Sequence, residues 1–172
     1  MSLIVRRAGE PDLQFLSQLA MKLVRQHEFY DSLRYISFDD HESRLFDLFR
    51  GEIRNEKSAV LVAELNKKIV GYALVMSEEA NFIELSETRA WLHDIYVDES
   101  ARGFNAGKQL LDTAVQAACD LGSRVLMLHV AEQNEFARRL FEKNGFRPTM
   151  QEMMLDLSDR ENKRSLQSDR LQ

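Results

Sequence analysis

The chain has 172 residues, of which 44% are hydrophobic and 30% charged, a composition typical of one globular domain. Its formal net charge of −5 disfavours nucleic acid as a main partner, since phosphate binding needs a basic face. The single cysteine, Cys119, excludes an internal disulfide, and no apolar stretch approaches the length of a membrane span. The sequence therefore predicts a cytoplasmic protein that binds neither nucleic acid nor membrane.

The predicted elements begin with a strand in LIVRR from Leu3 and a helix whose first turn contains Pro11, where the missing N–H costs nothing. Apolar residues at helical spacing continue that helix to Val24. The next stretch, HEFYDSLRYISFDD, is polar and aromatic without a clean period, which predicts a loop or a broken helix. Asp39 and Glu42 resemble a capping box and predict the start of a second amphipathic helix.

In the second half, the runs SAVLVAEL and KIVGYALVM flank Asn66-Lys67 and predict a hairpin. A connection, the strand RAWLHDIYV, a turn, a long helix and the strand RVLMLHVAE follow. Asn134 is placed to cap a last helix and Gly145 to end it. The run MQEMMLDL predicts a closing strand. This order predicts an α/β fold, with a single domain over residues 1–157 and a flexible polar tail over residues 158–172.

The most informative segment is the strand-to-helix turn in DESARGFNAGKQLL, which begins at Asp98. The first four amides of a helix have no intrahelical partners and the helix dipole favours negative charge there, so this turn suits an anion. Two nucleotide-binding motifs do not match this turn. A P-loop needs four residues between its glycines, whereas Gly103 and Gly107 enclose three, and the dinucleotide pattern G-x-G-x-x-G does not fit.

The run YVDESARGFNAGKQLL instead resembles the acyl-CoA-binding signature of the GNAT superfamily of N-acetyltransferases, Arg/Gln-x-x-Gly-x-Gly/Ala between a strand and a helix. Arg102 takes its first place and Gly107 its last. Asn105 stands where the family usually has glycine, and asparagine tolerates left-handed backbone angles better than most residues. Downstream, VAEQNEFARRLFEKNGF resembles the second acyl-CoA-binding element. The resemblance implies a mixed, mostly antiparallel central sheet with splayed middle strands and flanking helices.

The resemblance also implies that acetyl-CoA is the cosubstrate. Its pyrophosphate would bind the amides of the turn, its acetyl carbonyl would accept a bond from a strand amide, and its pantetheine arm would contact the last helix. His27 and His41 have no metal-ligand spacing with Cys119, so no metal is expected. The implied cofactor-binding residues are Ile95, Tyr96, Val97, Arg102, Gly103, Phe104, Asn105, Ala106, Gly107, Lys108, Asn134 and Phe141.

Acetyl transfer needs a neutral amine, and therefore a base that removes the proton most alkyl amines carry at pH 7. His93 and Asp94 lie on the strand that would reach the thioester and are the catalytic candidates. On a regular strand they point to opposite faces, so one of them would face the substrate. Many family members protonate the departing thiolate with a tyrosine of the last helix. The matching residue here is Phe141, which cannot donate a proton, and Tyr96 is an alternative.

In the family, the segment between the first two helices contributes to acceptor specificity, which makes Glu28, Tyr30 and Tyr35 the candidate substrate residues. Acidic and aromatic groups suit an amine on an apolar or cationic body. The expected function is acetyl-CoA-dependent transfer of an acetyl group to a primary amine by direct attack in a ternary complex. Phe141 and Asn105 favour the alternative, a non-catalytic acyl-CoA-binding sensor or interaction module. A homodimer through the last strands or the tail stays open.

Overall fold

A computed structural model describes residues 2–83, 85–101 and 103–158. Arg102 and the tail predicted beyond Ser158 lie outside these residues. The chain divides into two units, Met1–Arg138 and Arg139–Gln172, and the boundary falls within the last helix. In the described part of the chain, no helix combines the length and the apolar character needed to cross a membrane.

Strands and helices largely follow the predicted order. The strands are β1 (Leu3–Arg7), β2 (Ser58–Leu65), β3 (Lys68–Glu78), β4 (Arg89–Val97) and β5 (Leu126–Leu128). The helices are α1 (Leu13–Tyr30), α2 (His41–Arg54), α3 (Ala106–Asp120) and α4 (Glu135–Lys143). Short 3₁₀ turns at Glu10–Asp12 and Glu99–Ala101 precede α1 and α3.

The five strands form one sheet in the order β1-β2-β3-β4-β5. The first four pair antiparallel, and β5 lies parallel to β4. Pairing between β4 and β5 covers only Ala90–Leu92 against Leu126–Leu128. Beyond Leu92 the rest of β4 therefore has no β5 partner among the described residues. The predicted mixed, mostly antiparallel sheet with flanking helices is confirmed.

The two faces of the sheet bury different helices, because successive side chains of β3 point to opposite faces. Tyr72 and Leu74 belong to a buried cluster that also contains apolar residues of α1 and Phe49 of α2. Gly71 lies on the α3 face, where an added Cβ would lie 3.2 Å from Leu110 Cδ1 and 2.7 Å from the Tyr96 carbonyl oxygen. Glycine at this position therefore lets α3 approach the sheet closely.

Local turn chemistry explains both the successes and the errors of the sequence prediction. The hairpin at Asn66-Lys67 is confirmed, with positive φ of 49° and 67° as a type I′ turn requires. The capping box at Asp39 is wrong: α2 begins one residue later than that box implies, after Asp40, and no side chain caps its start. Helix α1 extends through Tyr30, so the first residues of HEFYDSLRYISFDD are helical.

The predicted closing strand MQEMMLDL is wrong, because residues 151–157 form no strand in the structure. Met150 and Met153 are 90% and 87% exposed. A strand needs a neighbour for its backbone hydrogen bonds, and this run has none among the described residues of its unit. The predicted end of α4 is confirmed: Gly145 has φ 89°, and the Phe146 amide donates to the Phe141 carbonyl at 3.1 Å.

Candidate active site

A β-bulge interrupts β4 at His93. Leu92 pairs with Val75 of β3, and Asp94 pairs with the adjacent Leu74. His93 therefore has no pairing partner on β3. A bulge resets the alternation of side chains and bends the strand, and bulges are common next to active sites. The expectation that His93 and Asp94 would point to opposite faces therefore does not hold at this position.

Asp94 is held by a buried tyrosine. The Tyr72 hydroxyl donates to Asp94 Oδ2 at 3.0 Å, and Tyr72 is fully buried. Burial raises the pKa of Asp94 above its usual value, while the hydrogen bond from Tyr72 and the charges of His93 and His27 oppose that rise. Burial also raises the pKa of Tyr72 well above 10, so its hydroxyl remains a donor.

His93 contacts a second carboxylate on the same face of the sheet. Its Nε2 atom lies 3.2 Å from Glu78 Oε1, and the two side chains are 37% and 41% exposed. Glu78 and Tyr72 are an even number of residues apart on β3 and therefore share a face. His93 and Asp94 thus both reach partners on the α1/α2 face, which places two carboxylates and an imidazole together.

The turn before α3 presents backbone amides. Gly103 and Asn105 have positive φ of 85° and 65°, so Asn105 adopts the left-handed conformation expected of it. Asn105 makes no side-chain hydrogen bond to the first turn of α3. The first amides of α3, from Ala106 to Lys108, therefore have no intrahelical acceptor and suit an anion.

Side chains of the turn differ in exposure. Phe104 is 40% exposed, whereas Ala106 is buried against the fold. Lys108 Nζ binds both carboxylate oxygens of Asp112, one helical turn away, at 2.6 and 2.7 Å. This ion pair directs the Lys108 charge toward Asp112, along the side of the helix.

The second half of β4 directs two amides away from β3. The Asp98 amide donates to the Val70 carbonyl, so it points toward β3. Since amide direction alternates along a strand, the amides of Ile95 and Val97 point to the opposite side. That side is where β4 and β5 no longer pair. Tyr96 pairs with Tyr72 across the strands and lies beside the α1/α2 cluster.

Comparison with known proteins identifies this arrangement. A family model described as the acetyltransferase (GNAT) family matches residues 23–146, more than half of the chain. The chain belongs to the GNAT acetyltransferase family. The confirmed fold and the turn at Gly103–Lys108 agree with that membership.

Individual relatives support the fold. The uncharacterized N-acetyltransferase YycN of Bacillus subtilis (strain 168) is 38% identical over 87 residues, which are 50% of this chain and 53% of YycN. A tetramutant of the BH1408 protein from Bacillus halodurans superposes with a TM-score of 0.76 at 24% identity, over 90% of this chain and 99% of that one. The structure of aminoglycoside N-acetyltransferase AAC(6′)-Iy in complex with CoA superposes with a TM-score of 0.73 at 15% identity, over 90% of this chain and 94% of that one. The chain spans about half the length of the relative YycN, and the structural likeness shows the fold alone.

Two further residues implied by GNAT resemblance lie near α4. Asn134 caps this helix, accepting a hydrogen bond from the Ala137 amide at 3.1 Å through Oδ1. Its side-chain nitrogen remains a donor for a ligand. In the second unit, Phe141 is 5% exposed and its ring centroid lies 5.7 Å from that of Phe146. Phe141 is thus a packed aromatic residue with no proton to donate.

The candidate substrate residues separate into two groups. Tyr35 stacks on His27 with ring centroids 4.7 Å apart and an interplanar angle of 16°, and Tyr30 lies 6.3 Å from the same imidazole. Glu28 instead accepts the Ser37 amide at 2.8 Å and so stabilises the connection between α1 and α2. The structure therefore brings Tyr30 and Tyr35 to His27, and it gives Glu28 a partner in its own loop.

Three residues of this site were missed by sequence reasoning. Tyr72 and Glu78 occupy even positions of β3, so the period of two could have placed them on one face. Nothing in the sequence shows the bulge that turns His93 toward Glu78. The sequence singles out His27 only for metal ligation, and its stacking on Tyr35 depends on α1 extending through Tyr30.

Proposed function

We propose that this protein is an acetyl-CoA-dependent N-acetyltransferase that transfers the acetyl group to a primary amine in a ternary complex. One observation carries the proposal: the amides of Ile95 and Val97 point into the region where β4 and β5 cease to pair, one to four residues after His93 and Asp94. A thioester placed there has donors for its carbonyl and a proton acceptor for the amine in the same short segment. The single cysteine, Cys119, supports a cytoplasmic location.

In this proposal, backbone groups bind the donor. The amides of Gly103–Lys108 hold the pyrophosphate at the start of α3, and an amide of Ile95 or Val97 stabilises the carbonyl oxygen as negative charge develops on it. Asn134 contacts the pantetheine arm through its side-chain amide. Arg102 has the first place of the family signature and would add charge to the phosphate site.

Side chains of the α1/α2 face handle the acceptor. The carboxylates of Asp94 and Glu78 attract a protonated amine, and His93 or Asp94 removes its proton. The neutral amine then forms the N–C bond as the C–S bond breaks. Because Phe141 cannot donate a proton, water or Tyr96 would protonate the thiolate, which is a tolerable leaving group with a thiol pKa of about 8.5.

A thermal melt with and without acetyl-CoA tests donor binding. At about 100-fold over Kd the cosubstrate should add roughly 2.7 kcal/mol to the free energy of unfolding. For a chain of this size the midpoint should rise on the order of 5–10 °C. AMP alone should give no comparable shift. No shift at millimolar acetyl-CoA would contradict the proposal.

A matched pair of variants tests whether the turn binds the donor. Asn105→Ala and Gly122→Ala each place alanine at a left-handed residue, with φ of 65° and 79°, at opposite ends of α3. Gly122→Ala should destabilise the fold by about 1–2 kcal/mol, and Asn105→Ala by less, because asparagine already carries a Cβ atom there. Only Asn105→Ala should also reduce the stabilisation by acetyl-CoA, and equal reductions in both variants would argue against binding at the turn.

Catalysis is tested by thiol release with a panel that contains an aminoglycoside, an aliphatic diamine and a lysine peptide. Release that depends on one class of amine would support the transferase and name its acceptor. Acetyl-CoA binding without release from any amine would favour the alternative, a non-catalytic acyl-CoA-binding module, for which the buried Phe141 is the specific supporting observation.

A further inference from the structure

We propose that Asp98, directly after β4, is a positioning residue for the acetyl-CoA site, and that Lys22 of α1 holds its carboxylate in place. This inference rests on the proposed acetyl-transfer function and adds to it two side chains that act through the backbone. It makes the affinity for acetyl-CoA depend on a contact between α1 and the residue that begins the turn before α3.

Asp98 lies between the two backbone segments that bind acetyl-CoA in the proposed function. The Val97 amide, directly before it, is one of the two candidates for the thioester carbonyl. The amides of Gly103–Lys108, which begin five residues after Asp98, are the candidates for the pyrophosphate. One acetyl-CoA molecule would contact both segments at once, so their spacing must match its pantetheine arm. A residue that fixes the chain between the two segments therefore fixes that spacing.

The backbone of Asp98 is attached to the sheet. Gly71 and Val97 are the last residue pair between β3 and β4. One residue further along, the Asp98 amide donates to the Val70 carbonyl at 2.8 Å, and Val70 is buried. The Asp98 carbonyl in turn accepts a hydrogen bond from the Ala101 amide at 3.0 Å. The turn before α3 thus begins from a residue that the sheet holds.

The carboxylate of Asp98 orders the residues that follow it. Its Oδ1 atom accepts hydrogen bonds from the Ser100 amide at 3.0 Å and from the Ser100 hydroxyl at 2.6 Å. An aspartate that accepts the amide two residues later stabilises a turn in place of a backbone carbonyl. Its Oδ2 atom binds Lys22 Nζ. The two oxygens therefore have separate partners, one in the turn and one on α1.

Lys22 reaches Asp98 from a helix whose own position is fixed. Helix α1 buries Leu19 and Leu23, on either side of Lys22 in the chain, against the sheet. The Asp98 side chain is 20% exposed and that of Lys22 is 51% exposed. The hydrogen bonds from Lys22 and Ser100 lower the pKa of Asp98 well below its usual value, so the carboxylate is ionised at neutral pH. The ion pair restricts the carboxylate to the orientation that Ser100 requires.

The test is the dissociation constant of acetyl-CoA, measured by isothermal titration calorimetry at a temperature where each variant is folded. Asp98→Ala removes both contacts of the carboxylate and should raise this constant about tenfold or more, because binding must then order the turn. Lys22→Met removes the ion pair alone and should raise it about two- to fivefold. Asp98→Asn keeps an oxygen acceptor for Ser100 and should therefore resemble Lys22→Met.

Steady-state kinetics separate positioning of the donor from an effect on the chemical step. With an amine that supports thiol release, the KM for acetyl-CoA should rise in the same order as the dissociation constant. The kcat of Lys22→Met at saturating acetyl-CoA should stay within about twofold of wild type, since the pair affects donor binding alone. A fall in kcat with an unchanged KM would overturn the inference. Lys22→Met carries the test if Asp98→Ala does not fold, because the Lys22 side chain is half exposed.

Asp12→Ala is the matched control, because Asp12 also accepts a backbone amide, from Gly9, and pairs with a cation of another element, Arg6 of β1. It should lower the free energy of unfolding and leave the dissociation constant unchanged. A wild-type constant in Asp98→Ala, or an equal rise in Asp12→Ala, would overturn the positioning role and leave the acetyltransferase in place. Wild-type protein that does not bind acetyl-CoA would overturn the proposed function itself, and the role of Asp98 with it.

Discussion

Two carboxylates of this protein, Asp12 in the turn before α1 and Asp94 on β4, have opposite surroundings. Asp12 binds the Arg6 guanidinium at 2.7 and 3.0 Å and accepts the Gly9 amide at 2.8 Å. Asp94 has a neutral donor, the Tyr72 hydroxyl. The hydrogen bond from Arg6 lowers the pKa of Asp12, whereas burial raises the pKa of Asp94.

The difference separates a structural carboxylate from one suited to chemistry. Asp12 joins β1 to the start of α1 through a paired charge, which stabilises the folded chain at neutral pH. Ionisation of Asp94 lowers the stability of the folded chain, since the hydrogen bond from Tyr72 and the charges of His93 and His27 offset only part of the effect of burial. A group that destabilises its own fold is a reasonable place to look for function, because an incoming ammonium ion would supply the missing charge.

The largest expected effect is on activity. Asp94→Asn should reduce turnover about 10²-fold or more, because the amine loses its anionic anchor and one of its two candidate proton acceptors. Thiol release measures this change, and the acetyl-CoA-induced shift in melting temperature should be kept. A variant with more than half of wild-type activity would remove Asp94 from the proposed mechanism.

The Asp94→Asn variant should also change how the free energy of unfolding depends on pH. In wild type the pKa of Asp94 in the folded chain is above its value of about 3.9 in the unfolded chain. The free energy of unfolding therefore falls as pH rises from about 3.9 through the pKa of the folded chain. Asp94→Asn has no such loss. Its free energy of unfolding, relative to wild type, should therefore be higher at pH 7 than at pH 3, as measured by urea unfolding at both pH values.

Asp12→Asn should show the reverse dependence of stability on pH. The folded pKa of Asp12 is lowered, so its contribution is complete above the unfolded pKa of about 3.9 and is lost as pH falls through the folded value. At pH 7 the variant should lose about 1.5–3 kcal/mol. The lower end applies because the Arg6 side chain is 39% exposed. Urea unfolding should show this difference shrinking in acid, and an equal loss at pH 3 would contradict the assignment.

Tyr72→Phe should have a smaller effect on stability. Removing the hydroxyl leaves Asp94 without its described donor and costs about 0.5–1.5 kcal/mol. The pKa of Asp94 should rise further, since the bond from Tyr72 opposes the effect of burial. Carboxylate titration by NMR measures this directly, with wild type as the reference. An unchanged pKa would show that Tyr72 has no influence on the carboxylate.

The smallest effect is expected at Glu64, the second carboxylate of Arg6. Glu64 Oε2 lies 3.3 Å from Arg6 Nη2, and the Glu64 side chain is 19% exposed. Because Asp12 already pairs with the same guanidinium, Glu64→Gln should cost about 0.5 kcal/mol at pH 7. A loss as large as that of Asp12→Asn would mean that the two carboxylates contribute equally.

The parts of the molecule that depend on local sequence were predictable. The turn at Asn66-Lys67, the left-handed Asn105 and the Gly145 helix end each follow from backbone preferences of a few adjacent residues. The turn at Gly103–Lys108 belongs to this class, since its amides are consecutive in the chain. The GNAT signature could be recognised in the sequence for the same reason.

The arrangement of Asp94 and His93 could not be predicted in the same way. The hydrogen bond from Tyr72 to Asp94 and the contact of His93 with Glu78 cross from β3 to the bulged β4, and no local pattern records those contacts. The error at MQEMMLDL has a related cause. Alternating apolar residues indicate which face of a strand could be buried, and they contain no information on whether a partner strand is there to pair with.

The bulge at His93 has a consequence for how this chain can change over time. Leu92 and Asp94 already pair with adjacent residues of β3, so a chain one residue shorter, without His93, would keep every pair of the sheet. Deletion of His93 would therefore remove the imidazole that faces Glu78 and leave the pairs between β3 and β4 as they are.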